Sequence, residues 1–180
     1  MASVVAQRGE WRITTEPAAM DLDVIHGFLT RSYWAAGVTR EVVARSIQGS
    51  IPFGVFHGPR QVGFARVISD RATFAYLADV FVLEEFRGQG LGVWLVEVIS
   101  AHPELQGLRR WLLATRDAHA LYARVGFEPL PAPERFMQRL APSGPAPATA
   151  IAPPPAVPPI AAPPPRSPGR SPGRPSSQGG

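Results

Sequence analysis

Cysteine is absent from this chain of 180 residues, which excludes a disulfide framework, a thiolate zinc site and a cysteine nucleophile. Lysine and asparagine are absent as well, so all 18 basic residues are arginine. No apolar run approaches the length that crosses a bilayer, and the N-terminus has neither a long apolar stretch nor a clear cleavage site. These absences predict a soluble, cytoplasmic protein that does not act at a membrane.

The formal charge of +4 does not indicate a nucleic-acid partner. Three of the arginines, Arg166, Arg170 and Arg174, lie near the C-terminus, and setting them aside leaves 15 arginines against 14 acidic residues. Because a domain that binds a polyanion concentrates basic residues on its folded part, this near-neutral balance argues against one. The four histidines are scattered along the chain, and we expect no metal site.

The composition changes sharply after Leu140. Fourteen of the 21 prolines fall in residues 141–180, which contain no aromatic and no acidic residue. Proline-rich stretches of this kind favour extended polyproline II conformation over a packed core. We therefore predict one folded domain over residues 1–140 and a disordered tail over 141–180, with a proline-rich ligand for a partner as the alternative function of the tail.

The hydrophobic patterning of residues 1–140 predicts alternating strands and helices. Apolar residues recur at helical spacing from Leu22 to Leu29, Thr39 is placed to cap a second helix, and Asp117 a later one. A Gly58-Pro59 turn between two apolar runs predicts a hairpin. The predicted order is β-α-α-β-β-β-α-β-α-β, a mixed sheet covered by helices, with its last strand near "RFMQRL" (135–140).

The stretch "RGQGLG" (87–92) places three glycines at the start of an apolar helix. A nucleotide P-loop needs a lysine after its last glycine, and a dinucleotide fingerprint needs G-x-G-x-x-G, so both are excluded. Two interpretations stay open on the glycines alone. One is an anion cradle, in which the free N–H groups of the first helical turn hold phosphate oxygens beside Arg87; the other is a plain tight turn.

The surrounding motifs resemble those of the GNAT N-acetyltransferase superfamily. The pattern R-x-x-G-x-G at Arg87, Gly90 and Gly92 follows "LADVFVLEEF", and about 30 residues later "ALYARVGFEPL" carries a tyrosine before Gly-Phe. The resemblance implies a mostly antiparallel sheet and acetyl-CoA as co-substrate. It implies that the amides of the turn bind the pyrophosphate and that the backbone of the preceding strand pairs with the pantetheine arm. The residues concerned are Val80, Phe81, Val82, Arg87, Gly88, Gln89, Gly90, Leu91 and Gly92.

The same resemblance suggests roles for four side chains. Tyr122 corresponds to the tyrosine that donates a proton to the leaving thiolate, with packing as the alternative. Asp79, a carboxylate in an apolar strand, is the candidate base, unless it is satisfied by the backbone or by an arginine such as Arg66. Tyr33 and Trp34 follow the first helix, where the acceptor site usually lies, and could form an aromatic wall or simply close the core.

The sequence thus predicts a transferase that moves an acetyl group from acetyl-CoA to a primary amine, on a small molecule or a peptide, by direct attack in a ternary complex. The absence of cysteine and of an evident Ser-His-Asp set argues against a covalent acyl-enzyme. Two alternatives stay open: a non-catalytic module that senses acetyl-CoA, and a transferase of a longer acyl group.

Overall fold

The computed structural model describes residues 5–140, so the predicted proline-rich tail lies outside the described residues. The chain forms six strands and four α-helices within this range. The strands are β1 (Val5–Arg8), β2 (Trp11–Thr14), β3 (Ile51–His57), β4 (Arg60–Ser69), β5 (Phe74–Val82) and β6 (Arg110–Leu112). The helices are α1 (Leu22–Leu29), α2 (Arg40–Gln48), α3 (Leu91–Ser100) and α4 (His119–Ala123). None of these helices is long and apolar enough to span a membrane.

All six strands belong to one sheet in the order β1-β2-β3-β4-β5-β6. The first five strands pair antiparallel, and β6 pairs parallel with β5. The predicted fold class, a mostly antiparallel sheet flanked by helices, is confirmed. The predicted Gly58-Pro59 hairpin is present as the β3–β4 turn, where His57 pairs with Arg60.

The element order differs from the prediction at both ends. A further strand, β1, precedes the predicted first strand and forms a hairpin with it, turning at Gly9 with a φ of 60°. The predicted final strand is wrong, because residues 136–140 form no ladder and Met137 is 97% exposed. A short stretch with apolar residues forms a strand only where a sheet edge accepts its backbone, and the prolines at 129, 131 and 133 lack the N–H donors that would begin such pairing.

Side-chain caps set the first two helices. Asp21 Oδ1 accepts from the backbone N–H groups of Asp23 and Val24 at the start of α1. The predicted cap of α2 is confirmed, since Thr39 Oγ1 accepts from the N–H of Val42. The predicted cap by Asp117 is wrong: α4 begins one residue later, with Ala118 at its cap position. There Thr115 Oγ1 accepts the N–H of Ala118 at 3.0 Å, because its hydroxyl lies three residues before that amide.

Two apolar clusters lie on opposite faces of the sheet. The larger one packs α3 and α4 on one face and includes Phe53, Val67, Leu77, Leu95 and Tyr122. The smaller one packs α1 and α2 on the other face and includes Ile25, Leu29, Val43, Ile47, Phe64 and Phe81. The two helical layers thereby hold β4 and β5 in the middle of the domain.

The middle of β5 is irregular. Phe64 pairs with Phe81 and Arg66 pairs with Ala78, so that Asp79 and Val80 stand opposite Ala65 alone. This is a β-bulge, and Asp79 has a φ of 55°, which a residue with a Cβ atom rarely adopts. Strand β6 pairs only with Phe74, Ala75 and Tyr76. Beyond Tyr76, therefore, the edge of β5 that faces β6 carries no partner strand among the described residues.

Candidate active site

The glycine-rich turn leads from the end of β5 into α3. Gly88 and Gly90 have φ values of 77° and 76°, a region in which a Cβ atom is strained. Gly90 is the cap residue of α3 and has no side chain with which to cap it. A Cβ atom on Gly92 would come within 3.1 Å of Leu121 Cδ1 in α4. Open space surrounds the missing Cβ atoms of Gly88 and Gly90, so neither residue screens the free N–H groups of the first turn of α3, as an anion cradle requires.

Arg87 lies at the mouth of this turn. Its Nε donates to the carbonyl oxygen of Val82 at 3.0 Å, so that the side chain is tied to the last residue of β5. The residue as a whole is exposed. The Nε–H of the guanidinium is thus used by the end of β5, and its two terminal NH₂ groups, which form no ion pair within residues 5–140, remain available to an anion.

The backbone of Val80 to Val82 lies on the open edge of β5. On the other edge of this strand Phe81 and Val82 pair with Phe64 and Gly63 of β4. Phe81 is buried and stacks on Phe28 of α1, with ring centroids 3.9 Å apart. The side chain of Phe81 is thus fixed on the α1 face. At the free edge, the segment from Val80 to Val82 therefore presents backbone groups to a ligand.

Tyr122 lies in α4 and is 9% exposed. Burial raises the pKa of Tyr122 to about 12, with smaller contributions from Tyr33 and Asp117 nearby. Its ring meets that of Phe127 edge-on at 5.9 Å. Within residues 5–140, no buried side-chain polar atom lacks a partner. The Tyr122 hydroxyl, for which the same range supplies no hydrogen bond, is therefore not completely enclosed, and its raised pKa keeps the proton in place at neutral pH.

Asp79 is held by two side chains. Arg66 Nε lies 2.5 Å from Asp79 Oδ2, and Trp34 Nε1 donates to Asp79 Oδ1 at 3.2 Å. The side chains of Arg66 and Asp79 are 17% and 11% exposed, so the ion pair is largely buried. The structure thus contains the Arg66 contact that was the alternative to a catalytic role, and it adds a contact with the predicted acceptor wall.

The two predicted wall residues lie together after α1. The rings of Tyr33 and Trp34 meet edge-on at 4.9 Å, and the ring of Phe28 lies 6.2 Å from Trp34. The backbone N–H of Arg116 donates to the Tyr33 hydroxyl, and its guanidinium lies 4.0 Å from the Tyr33 ring. Phe28, Tyr33 and Trp34 together form an aromatic wall.

The structure brings three of the predicted side chains together through contacts that link Asp79 to Trp34 and Trp34 to Tyr33, and Tyr33 lies near enough to Tyr122 to contribute to the raised pKa of that residue. The sequence analysis missed Phe28 and Arg116. The helical spacing of the apolar residues in α1 indicated only that Phe28 packs in the core. Nothing in the sequence indicated that Arg116, 83 residues beyond Tyr33, would bind its hydroxyl.

A cavity of about 1000 Å³ lies beside β6 and α4, lined among others by Trp111, Leu113, Tyr122, Phe127 and Leu130. Its lining does not include the glycine turn or β5. It is therefore distinct from the cradle at α3. Among residues 5–140, no three acidic or histidine side chains are grouped as a metal ion would require.

The mostly antiparallel sheet, whose open β5 edge runs into an uncapped glycine-rich helix start, has the architecture of the acyltransferase class that the sequence motifs resemble. The chain belongs to the GNAT acetyltransferase family. Residues 49–129 match the model of the acetyltransferase (GNAT) domain. A Gibberella zeae protein (FG08082), whose name gives it as an acetyltransferase and states no acceptor, is 31% identical over 140 residues. The match covers 65% of this chain and 78% of the relative. Acetyl transfer from acetyl-CoA is the general reaction of the family.

Solved structures agree with this assignment. A GNAT-family protein of Xanthomonas campestris pv. campestris is 48% identical, with a TM-score of 0.72 over 76% of this chain and 96% of its own. The glucosamine-6-phosphate N-acetyltransferase of Arabidopsis thaliana has a TM-score of 0.54 over 73% of this chain and 97% of its own. At 18% identity, the second likeness shows the fold alone.

Proposed function

We propose that this protein transfers an acetyl group from acetyl-CoA to a primary amine by direct attack in a ternary complex. The observation that carries the proposal is the continuous path from the open edge of β5 into the glycine turn of α3. A strand edge can pair with an arm that bears amide groups, and a helix start can hold phosphate oxygens. Coenzyme A has both kinds of group in one molecule.

The residues fit such a co-substrate by shape as well as by chemistry. The left-handed glycines Gly88 and Gly90 keep Cβ atoms away from the start of α3. Arg87 adds a positive charge beside the helix N-terminus, where the partial charge already favours anions. The backbone groups of Val80, Phe81 and Val82 would hold the amide-bearing arm.

The bound thioester supplies an activated acetyl group and a sulfur that needs a proton as it leaves. Tyr122 has a hydroxyl that no side chain or backbone group of residues 5–140 hydrogen-bonds and, with a pKa of about 12, is neutral under physiological conditions. It is therefore proposed as the general acid. Asp79, through the oxygen that also accepts from Trp34, is proposed to receive the amine proton, directly or through water, when the acceptor lies against the wall.

The test is thiol release from acetyl-CoA with a panel of primary amines, with product identified by mass spectrometry. Tyr122→Phe removes only the hydroxyl, and we expect kcat to fall by about 10²- to 10⁴-fold while coenzyme A affinity persists. Tyr76→Phe is the matched control, since Tyr76 lies in β5 opposite Ile68 and Leu112 and, within residues 5–140, forms no hydrogen bond or ring contact with the aromatic wall. Equal activity of the two variants would reject Tyr122 as the acid. Binding without thiol release for every amine would favour the sensor module instead.

A further inference from the structure

We propose that the acceptor is a monoamine attached to a flat, apolar group, such as an aromatic ring, which lies against Trp34 of the aromatic wall. This inference rests on the proposed function and narrows its substrate class. Three features carry it: the exposure of the indole, the way in which the indole is fixed, and the balance of charges around it.

Trp34 is 42% exposed and yet firmly placed. Its Nε1 is bonded to Asp79, and its ring contacts both Phe28 and Tyr33. Phe28 is itself stacked on the buried Phe81 at an interplanar angle of 8°. A bulky indole that was only filling a core gap would be covered, and one on a loose loop would lack these contacts. Here an apolar ring is held in place with part of its surface left open to solvent.

The charges that touch the wall are matched in pairs. Asp79, which bonds Trp34, is paired with Arg66. Arg116, which covers Tyr33, lies 3.4 Å from the carboxylate of Asp117. Within residues 5–140, the carboxylates that these contacts bring to the wall are both paired with an arginine, so an acceptor with several ammonium groups would find no unmatched carboxylate there. A neutral ring, by contrast, gains from an aromatic face without removing any charge from its partner.

Arg31 lies where it could favour a different class of acceptor, an amine that carries a phosphate group. It is exposed two residues before Tyr33, and no ion pair is formed with it within residues 5–140. An amine that carries a phosphate group could use this arginine instead of the ring face. The two acceptor classes therefore predict opposite orders of preference.

The experiment compares 2-phenylethylamine with ethylamine, which differ only by the ring, and includes spermidine and glucosamine 6-phosphate. We expect kcat/KM for 2-phenylethylamine to exceed that for ethylamine by about tenfold or more, since a ring contact adds to the burial of apolar area. Trp34→Leu should reduce this ratio by about tenfold. Trp34→Phe, which keeps a ring but loses the N–H, should retain most of it. A higher kcat/KM for spermidine or glucosamine 6-phosphate, or an unchanged ratio in Trp34→Leu, would overturn the inference.

Failure of this inference can be told apart from failure of the proposed function. Calorimetric binding of 2-phenylethylamine to the protein saturated with coenzyme A does not depend on turnover. Binding that weakens in Trp34→Leu without any thiol release would support the acceptor class and reject the transferase. Thiol release with other amines, but no binding of 2-phenylethylamine, would retain the transferase and reject the acceptor class.

Discussion

Replacing Gly90 by alanine should separate the role of the glycine turn in binding from its role in folding. Gly90 has a φ of 76° and open space around its missing Cβ atom, and so does Gly107, with a φ of 71°. Gly90 begins α3, whereas Gly107 lies beyond the other end of that helix, before β6. Gly107→Ala is therefore a matched control for backbone strain, at a position remote from the proposed pyrophosphate site.

The expected magnitudes differ between folding and binding. A Cβ atom in the left-handed region costs roughly 1–2 kcal/mol, which in a domain of this size lowers Tm by roughly 3–8 °C, and this should hold for both variants. Only the Gly90 variant places a methyl group beside the free amides of α3. Loss of one hydrogen bond to a charged group costs about 1.5–3 kcal/mol, so its Kd for coenzyme A should rise about 10- to 150-fold.

Isothermal calorimetry with coenzyme A measures the Kd values, and thermal melts of the unliganded proteins measure the loss of Tm that the backbone strain causes. The assignment of the pyrophosphate to this turn predicts equal loss of Tm and unequal loss of affinity. Unchanged affinity in Gly90→Ala, or an equal loss of affinity in Gly107→Ala, would refute it.

Two further predictions concern stability. Arg66→Met leaves the Asp79 carboxylate without its cation, so it should lower the free energy of unfolding by about 3 kcal/mol, near the lower end of the range for a broken buried pair. In urea denaturation, the double variant Arg66→Met with Asp79→Asn should lose clearly less stability. Equal losses in the two variants would argue against a coupled pair. Burial of His102 lowers its pKa below 6.5, so its contribution to stability is fully present above pH 6.5 and is lost as pH falls below that value. In the native protein His102 Nδ1 accepts from the Glu104 N–H, and His102→Asn keeps an acceptor for that group. The variant should show a smaller decline of stability between pH 7 and pH 5 than the native protein. Parallel profiles of stability against pH for the two proteins would contradict this prediction.

The parts of the fold that the sequence predicted correctly depend on local signals. A hydroxyl three residues before an amide identifies the start of α2 at Thr39, and a Gly-Pro turn between apolar runs identifies the β3–β4 hairpin. The glycine turn carries its conformation in its own residues, since Gly88 and Gly90 adopt backbone angles that other residues avoid. Such signals need no knowledge of the rest of the chain.

The parts that failed or were missed depend on distant partners. Residues 136–140 include the apolar Phe136, Met137 and Leu140, but no ladder forms among the described residues, and a short apolar stretch cannot show whether a sheet edge is available to it. The bond between Trp34 and Asp79 joins positions 45 residues apart, and either residue alone has a simple local explanation. The sequence could therefore single out Tyr33, Trp34, Asp79 and Tyr122, but not the contacts that join Trp34 to Asp79 and to Tyr33.

The bulge at Asp79 and Val80 explains how these contacts arise. In an unbroken strand Asp79 and Phe81 would face the same side as Leu77, because alternate residues share a face. Leu77 does belong to the α3 cluster, yet Phe81 belongs to the cluster under α1 and α2. The extra residue in β5 has reversed the facing of the strand between them. Without it, the carboxylate of Asp79 would point among the apolar side chains of the larger core. With it, Asp79 meets Arg66 and Trp34 on the α1 side, at the cost of a strained φ of 55°. One local irregularity thus removes a charge from the core and fixes the indole of the wall.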